Sequence, residues 1–246
     1  MVDIRRQEII QALPYIRRFA RALAGGQKRG DQLVAESLKR VLGDDSSSLS
    51  IRNTLYRDIA QHFLGKADAH PASEGLTVTQ RILLLLIALE ELPLATAAEI
   101  VGIDETDAVA EVSRANEGLR AVTETSVLII EDEPIIAMDI QDVVEQCGHR
   151  IAGVAHTEAD AVRIAEETKP GLILADINLG GGGDGMKAVG RIMATHRTPV
   201  IFVTAYPERL LTGESEEPSF VITKPFEPMT LAITTYQAVT GGMKVF

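Results

Sequence analysis

Three acids, a threonine and a lysine stand at or just after the ends of short apolar runs in the second half of this sequence. Together they could capture a phosphoryl group. Val127-Leu128-Ile129-Ile130 is followed by Glu131-Asp132, and Leu172-Ile173-Leu174-Ala175 by Asp176. Val200-Ile201-Phe202-Val203 is followed by Thr204, and Phe220-Val221-Ile222-Thr223 by Lys224-Pro225-Phe226. A carboxylate at a strand tip can act as a nucleophile and become an aspartyl phosphate, which makes Asp176 the candidate acceptor. The incoming group needs its charge offset, and Mg²⁺ does so through octahedral oxygen ligation by one or two carboxylates, waters and phosphate. Glu131, Asp132 and Asp176 are the candidate ligands, with the backbone carbonyl of Asn178 as a further one. The Thr204 hydroxyl and the Lys224 ammonium can each bond a phosphoryl oxygen. Because the residue before a proline is driven toward extended geometry, Lys224 should point off its strand end, and a cis bond to Pro225 is compatible with the motif. Taken singly, each residue has a plainer role. Asp176 could be a helix N-cap, Glu131 to Pro134 an acidic first helical turn, Thr204 a turn residue and Lys224 a solvated charge. The chemistry lies in the combination and its order.

These side chains converge only if the four runs are neighbouring parallel strands, since ligands of open parallel sheets sit beyond the carboxyl ends of the strands. Apolar runs of this length separated by amphipathic stretches read as buried parallel strands. The pattern predicts strands near 126–130, 150–155, 171–175, 200–204 and 220–223. Helices are predicted near 134–147, 158–168, 185–195, 207–212 and 227–239. Five such units imply a doubly wound, five-stranded parallel sheet with α/β architecture over 126–246. The Gly180–Gly183 run suggests either a mobile loop over Asp176 or a plain flexible turn.

The first half reads as all-helical. Helices are predicted over Arg5–Leu13, Pro14–Ala24, Asp31–Leu42 and Ile51–Leu64, with Pro14 placed to open the second. Linker-like composition from Gly65 to Gly75 predicts a boundary between a group over 1–66 and another over 75–122. In the second group a helix beginning at Thr77 runs through Ile82–Leu89 to about Leu92-Pro93. A short helix over Thr96–Val101, a turn at Gly102 and a helix from about Glu105 to Val122 form a helix-turn-helix pattern.

A chain of 246 residues that is 46% hydrophobic can bury two cores. The apolar run Ile82–Leu89 is far too short to cross a bilayer, and the N-terminus lacks a signal-peptide h-region. A cytoplasmic protein with no membrane partner is expected. The lone Cys147 excludes an internal disulfide and a Cys-rich zinc site, and its neighbours suggest a small buried hydrophobe at a helix end. Residues 1–66 carry 12 Lys/Arg against 7 Asp/Glu, whereas 71–122 carry 3 against 9 and 125–246 carry 9 against 17. Arg5-Arg6 and Arg17-Arg18-Arg21 read as solvated helix faces or interface anchors, with the first preferred.

Residues 126–240 resemble a response-regulator receiver domain. The resemblance is carried by Val127 to Pro134, by Leu172 to Leu179, by Thr204-Ala205 and by Lys224-Pro225-Phe226. It implies that Asp176 takes a phosphoryl group from a phosphohistidine on a sensor histidine kinase. It also implies Mg²⁺ at Glu131, Asp132 and Asp176, with Thr204 and Lys224 reading the phosphorylated state. Receivers often carry a switch aromatic three residues before the lysine. Val221 stands there, and Tyr206 is the candidate replacement.

The helical half resembles an extracytoplasmic-function sigma factor, on Pro14 to Leu23 and Leu89 to Gly102, with region-2-like and region-4-like parts. A sigma-like domain followed by a receiver resembles the PhyR-type anti-anti-sigma regulators of a bacterial general stress response. That resemblance implies sequestration of a NepR-type anti-sigma factor after phosphorylation. Charge agrees with mimicry rather than DNA reading. Asp104 to Glu111, at the start of the second helix of the helix-turn-helix, holds four acids and no base, and would set carboxylates against phosphates in a major groove. The competing reading is a regulator that binds promoter DNA or RNA polymerase through these helices, supported by the excess of base in 1–66. Turnover of an external substrate is not expected, since a phosphatase of the haloacid-dehalogenase type needs a second Asp where Asn178 stands.

Overall fold

The computed structural model describes residues 2–42, 49–67, 75–119, 124–207, 210 and 217–241. The chain divides into two compact units, one running to Leu119 and the other spanning Arg120–Thr240.

The first unit is helical: α1 (Val2–Ala24), α2 (Gln27–Val41), α3 (Ile51–Ala67), α4 (Val78–Leu84), a π-helical turn (Leu85–Leu89), α5 (Leu94–Val101) and α6 (Glu105–Leu119). One helix, α1, replaces the two predicted on either side of Pro14. Pro14 is exposed, so the Ile10 carbonyl that loses its donor lies on the solvent side, where water can serve it. The buried stripe Ala12, Ile16, Phe19, Leu23 passes through without a break. Where α2 meets α1, a Cβ on Gly30 would lie 2.6 Å from the Arg21 Cα, so glycine allows the close backbone approach. Thr77 caps α4 through a capping box with Gln80. Gly102 ends α5 in the left-handed region at φ 86°, forming the expected turn of the helix-turn-helix.

Arg17, Arg18 and Arg21 are not solvated faces. Asp31 on α2 accepts from Arg17 (Nη2, 3.1 Å) and Arg21 (Nη2, 2.7 Å), and Glu90 accepts from Arg18 (Nε, 2.9 Å). Arg21 is wholly buried. The preferred sequence reading is overturned because acceptors distant in sequence fold over these guanidiniums; Arg6 remains exposed.

The second unit is a five-stranded parallel sheet in the order β2 (Arg150–Ala155), β1 (Ser126–Ile130), β3 (Leu172–Ala175), β6 (Val200–Thr204) and β7 (Phe220–Thr223). Helices α7 (Pro134–Gln146), α8 (Glu158–Thr168), α9 (Gly185–Thr195) and α10 (Pro228–Thr240) alternate with them. This is the α/β doubly wound architecture expected from the run pattern. The helix predicted at 207–212 falls mostly outside the described residues. After Asp176 the glycine run forms the turn of a small hairpin. Asn178–Leu179 (β4) and Gly183–Asp184 (β5) pair antiparallel around a 3₁₀ turn at Gly180–Gly182. Glycine permits the positive φ of Gly181 and Gly182 that closes so tight a hairpin. Cys147 does end α7, but it is half-buried rather than buried.

Candidate functional site

Strand register brings the predicted residues to one rim. Ile130 pairs with Ala175, so the next residues, Glu131 and Asp176, leave adjacent strands side by side. Thr204 pairs with Thr223, which puts Lys224 immediately beyond it, and the Lys224 N–H donates to the Thr204 carbonyl at 2.9 Å. The backbone is tied at the same level on the other side. The Asp176 N–H reaches the Ile130 carbonyl and the Glu131 N–H reaches the Ala155 carbonyl, each at 2.9 Å.

The Lys224 Nζ lies between two acids, 2.6 Å from Glu131 Oε2 and 2.8 Å from Asp176 Oδ2. The other Asp176 oxygen accepts the N–H groups of Ile177 (2.6 Å) and Asn178 (3.3 Å), and Glu131 Oε1 accepts the Glu133 N–H at 3.2 Å. Glu131 is wholly buried and Asp176 is 8% exposed. Burial pushes the Glu131 carboxyl up, and nearby Asp176 adds to the rise, against the bonds from Lys224 and Glu133. Burial alone would lower the Lys224 ammonium, but its bonds to Asp176 and Glu131 outweigh this and hold it above its ordinary value. The Lys224–Pro225 peptide is cis.

Carboxylate oxygens of Glu131, Asp132 and Asp176 lie within 4.8 Å of one another. Three hard oxygen donors converging at a strand rim suit Mg²⁺ better than a soft metal. Thr204 is buried, and its hydroxyl accepts the Tyr206 N–H at 3.2 Å; the Tyr206 ring is 50% exposed. The Asn178 N–H donates to Asp176, a bond that does not engage the Asn178 carbonyl.

Three contributors escaped the sequence reading. The Gly180 N–H donates to Asp132 Oδ2 at 2.8 Å, so the hairpin orients one acid of the cluster. Nδ1 of His156 is 2.6 Å from the Glu131 carbonyl and donates to it. Gly185 packs so tightly that a Cβ there would sit 1.7 Å from the Asp176 carbonyl oxygen. The glycine run was visible, but nothing local says which glycine faces which backbone.

Residues 127–235 match the family model of the response regulator receiver domain, and residues 9–58 match that of the Sigma2 domain of PhyR. The chain is 41% identical to the phyllosphere-induced regulator PhyR of Methylorubrum extorquens, over 94% of this chain and 93% of that one. The chain belongs to the PhyR family of response regulators. Among solved members, the response regulator PhyR from Brucella abortus superposes with a TM-score of 0.84 at 40% identity, covering 95% of this chain and 93% of that one. The anti-anti-sigma factor PhyR from Bartonella quintana gives 0.84 at 40% identity, covering 95% of each. PhyR membership accounts for both halves at once, a sigma-like helical unit and a receiver. It does not favour the DNA-reading alternative. No described helix is long and apolar enough to cross a membrane.

Proposed function

We propose that this PhyR-family protein accepts a phosphoryl group on Asp176 and, in that state, binds an anti-sigma factor of the NepR type through its helical unit. The true sigma factor is thereby released for stress-response transcription. The observation that carries the reading is the Lys224 ammonium set between Asp176 and Glu131, two of the three acids that cluster at this rim with Asp132.

In the transfer step, an Asp176 carboxylate oxygen attacks phosphorus while the bond to the imidazole nitrogen of a kinase phosphohistidine breaks, and that nitrogen keeps the electron pair. Asp176 Oδ1 is held by two backbone N–H groups, which leaves Oδ2, bonded to the Lys224 ammonium, as the attacking atom. Glu131, Asp132, Asp176 and the Asn178 carbonyl would hold Mg²⁺, which would supply positive charge against the phosphoryl oxygens. Lys224 then exchanges a carboxylate for a phosphoryl oxygen, and Thr204 turns its hydroxyl from the Tyr206 N–H toward another. Tyr206 follows Thr204 as the switch aromatic. The phosphoryl group carries about 1.5–2 negative charges in place of the single charge of the Asp176 carboxylate, and a near-complete population switch needs about 5.5 kcal/mol of preference for the active state. No turnover of an external substrate is part of this scheme, and the donor is a sensor histidine kinase.

Arginine pairing weakens the support for DNA binding, since Arg18 and Arg57 of the basic segment bond Glu90 and Glu99 outside it. Arg17, Arg18, Arg21, Arg40 and Arg57 all bond acids within the helical unit. Asp104, Glu105 and Asp107, at the start of α6, are exposed. The test is capture of a NepR-type anti-sigma protein with and without acetyl phosphate and Mg²⁺. Asp176→Ala should abolish the phosphodonor-dependent gain, and gel shifts with duplex DNA should be negative at low salt. Capture by Asp176→Ala at the strength of the phosphorylated wild type would sink the switch.

A further inference from the structure

The two helical groups that the sequence separates are joined through Glu90, which is 2% exposed. Glu90 follows the π-helical turn, where the Glu90 N–H bonds the Leu85 carbonyl at 3.0 Å. Its carboxylate accepts Arg18 Nε (2.9 Å) and Nη2 (3.1 Å) from α1 and the Tyr56 hydroxyl (2.6 Å) from α3. The last carbonyls of the turn are capped from the same helices. Leu89 O accepts Arg18 Nη2 at 2.6 Å, and Glu90 O accepts Arg52 Nη2 at 3.1 Å. Cations at a helix C-terminus also answer its dipole. Further along, Arg57 donates to the Glu99 carbonyl at 2.9 Å and Gln61 to that of Val101 at 3.3 Å. The next residue, Glu91, lies in the left-handed region at φ 54°, strain that a β-carbon residue tolerates only when its surroundings impose it.

We infer that Glu90 is a clasp that fixes the α1–α3 group and the α4–α6 group in one mutual orientation, so that a protein partner meets a single composite surface. The excess base of the first group and the excess acid of the second are partly spent on each other. Glu90 is too buried to touch a partner and acts as a positioning residue. Its consequence for binding rests on the function proposed above, but the clasp itself does not.

The test uses the full chain with Cys147→Ser and spin labels on cysteines replacing Leu42, at the end of α2, and Val109 on α6, both about half exposed. Distances are read by pulsed electron resonance. The parent should give one narrow peak, and Glu90→Gln should lose it, because the Arg18 guanidinium is left buried beside a neutral group. Adding Arg18→Gln should restore it in part, since removing both charges of a buried pair is milder than removing one. Tyr56→Phe, which deletes the hydroxyl's bond to Glu90 and the one it accepts from Arg52 Nε but leaves every charge in place, should broaden the peak if Glu90→Gln fails to fold. A parent-like peak in a folded Glu90→Gln protein, or in Tyr56→Phe when Glu90→Gln does not fold, overturns the clasp. If the parent distances behave as expected but no NepR-type protein binds the phosphorylated chain, the proposed function fails and the clasp stands.

Discussion

Gly185→Ala isolates how far the acceptor depends on backbone placement. The new Cβ would lie 1.7 Å from the Asp176 carbonyl oxygen, where ordinary contact begins at 3.4 Å. Either β3 or the start of α9 must therefore retreat by about 1.7 Å, the difference between those distances. The bond from the Gly185 N–H to the Ile177 carbonyl (2.8 Å) keeps the two segments from parting freely, so the displacement falls on the Asp176 turn. A misplacement of about 1 Å can cost on the order of 100-fold in rate, and phosphoryl uptake from acetyl phosphate should fall by about that factor. Overpacking should cost about 1–3 kcal/mol, against at most about 1 kcal/mol gained from the helix preference of alanine. Gly190→Ala is the control, because nothing lies within 4 Å of its added Cβ on an exposed position of α9. It should keep the uptake rate and gain up to about 1 kcal/mol. Intact-mass time courses with Mg²⁺ report uptake, and urea titration reports stability. Wild-type uptake by a Gly185→Ala protein of undiminished stability would refute the reasoning.

Two further outcomes follow from charge. Lys224→Met removes the cation between Glu131 and Asp176; calorimetric titration should show tighter Mg²⁺ binding together with loss of phosphorylation-dependent partner capture, and weaker or unchanged Mg²⁺ binding would contradict the placement. His149 is buried, and burial lowers its pKa against a smaller opposing pull from Glu124, while its Nδ1 is the acceptor for the Thr125 N–H at 3.4 Å. With the folded value below the unfolded one, the unfolded chain binds more protons between them, so stability is full above about pH 6.5 and falls as the pH drops below it. Denaturation at pH 7.5 and 5.5 should show this loss, and His149→Gln should flatten it; an unchanged slope in the variant would assign the effect elsewhere.

The α/β half was largely legible because a parallel strand buried on both faces must be apolar along its length, and the polar residue that ends it marks the rim. Glu131, Asp132, Asp176, Thr204 and Lys224 could be placed on that rule alone. Gly102 was equally readable, since a helix that stops on glycine needs little from the rest of the chain. Pro14 misled because the cost of an interior proline can be met when the rest of the helix is packed, as the buried stripe on either side of it is, and that packing is not written locally. Local patterning offered no means of pairing Arg17 and Arg21 with Asp31, or Arg18 and Tyr56 with Glu90. Charges many residues apart meet only when the chain folds back. The same holds for Gly185, whose role is to be absent from the space beside Asp176. Element type and the chemistry at strand ends are thus short-range properties of this sequence. Which charges neutralise each other, and which glycines face a neighbouring backbone, were decided by tertiary packing.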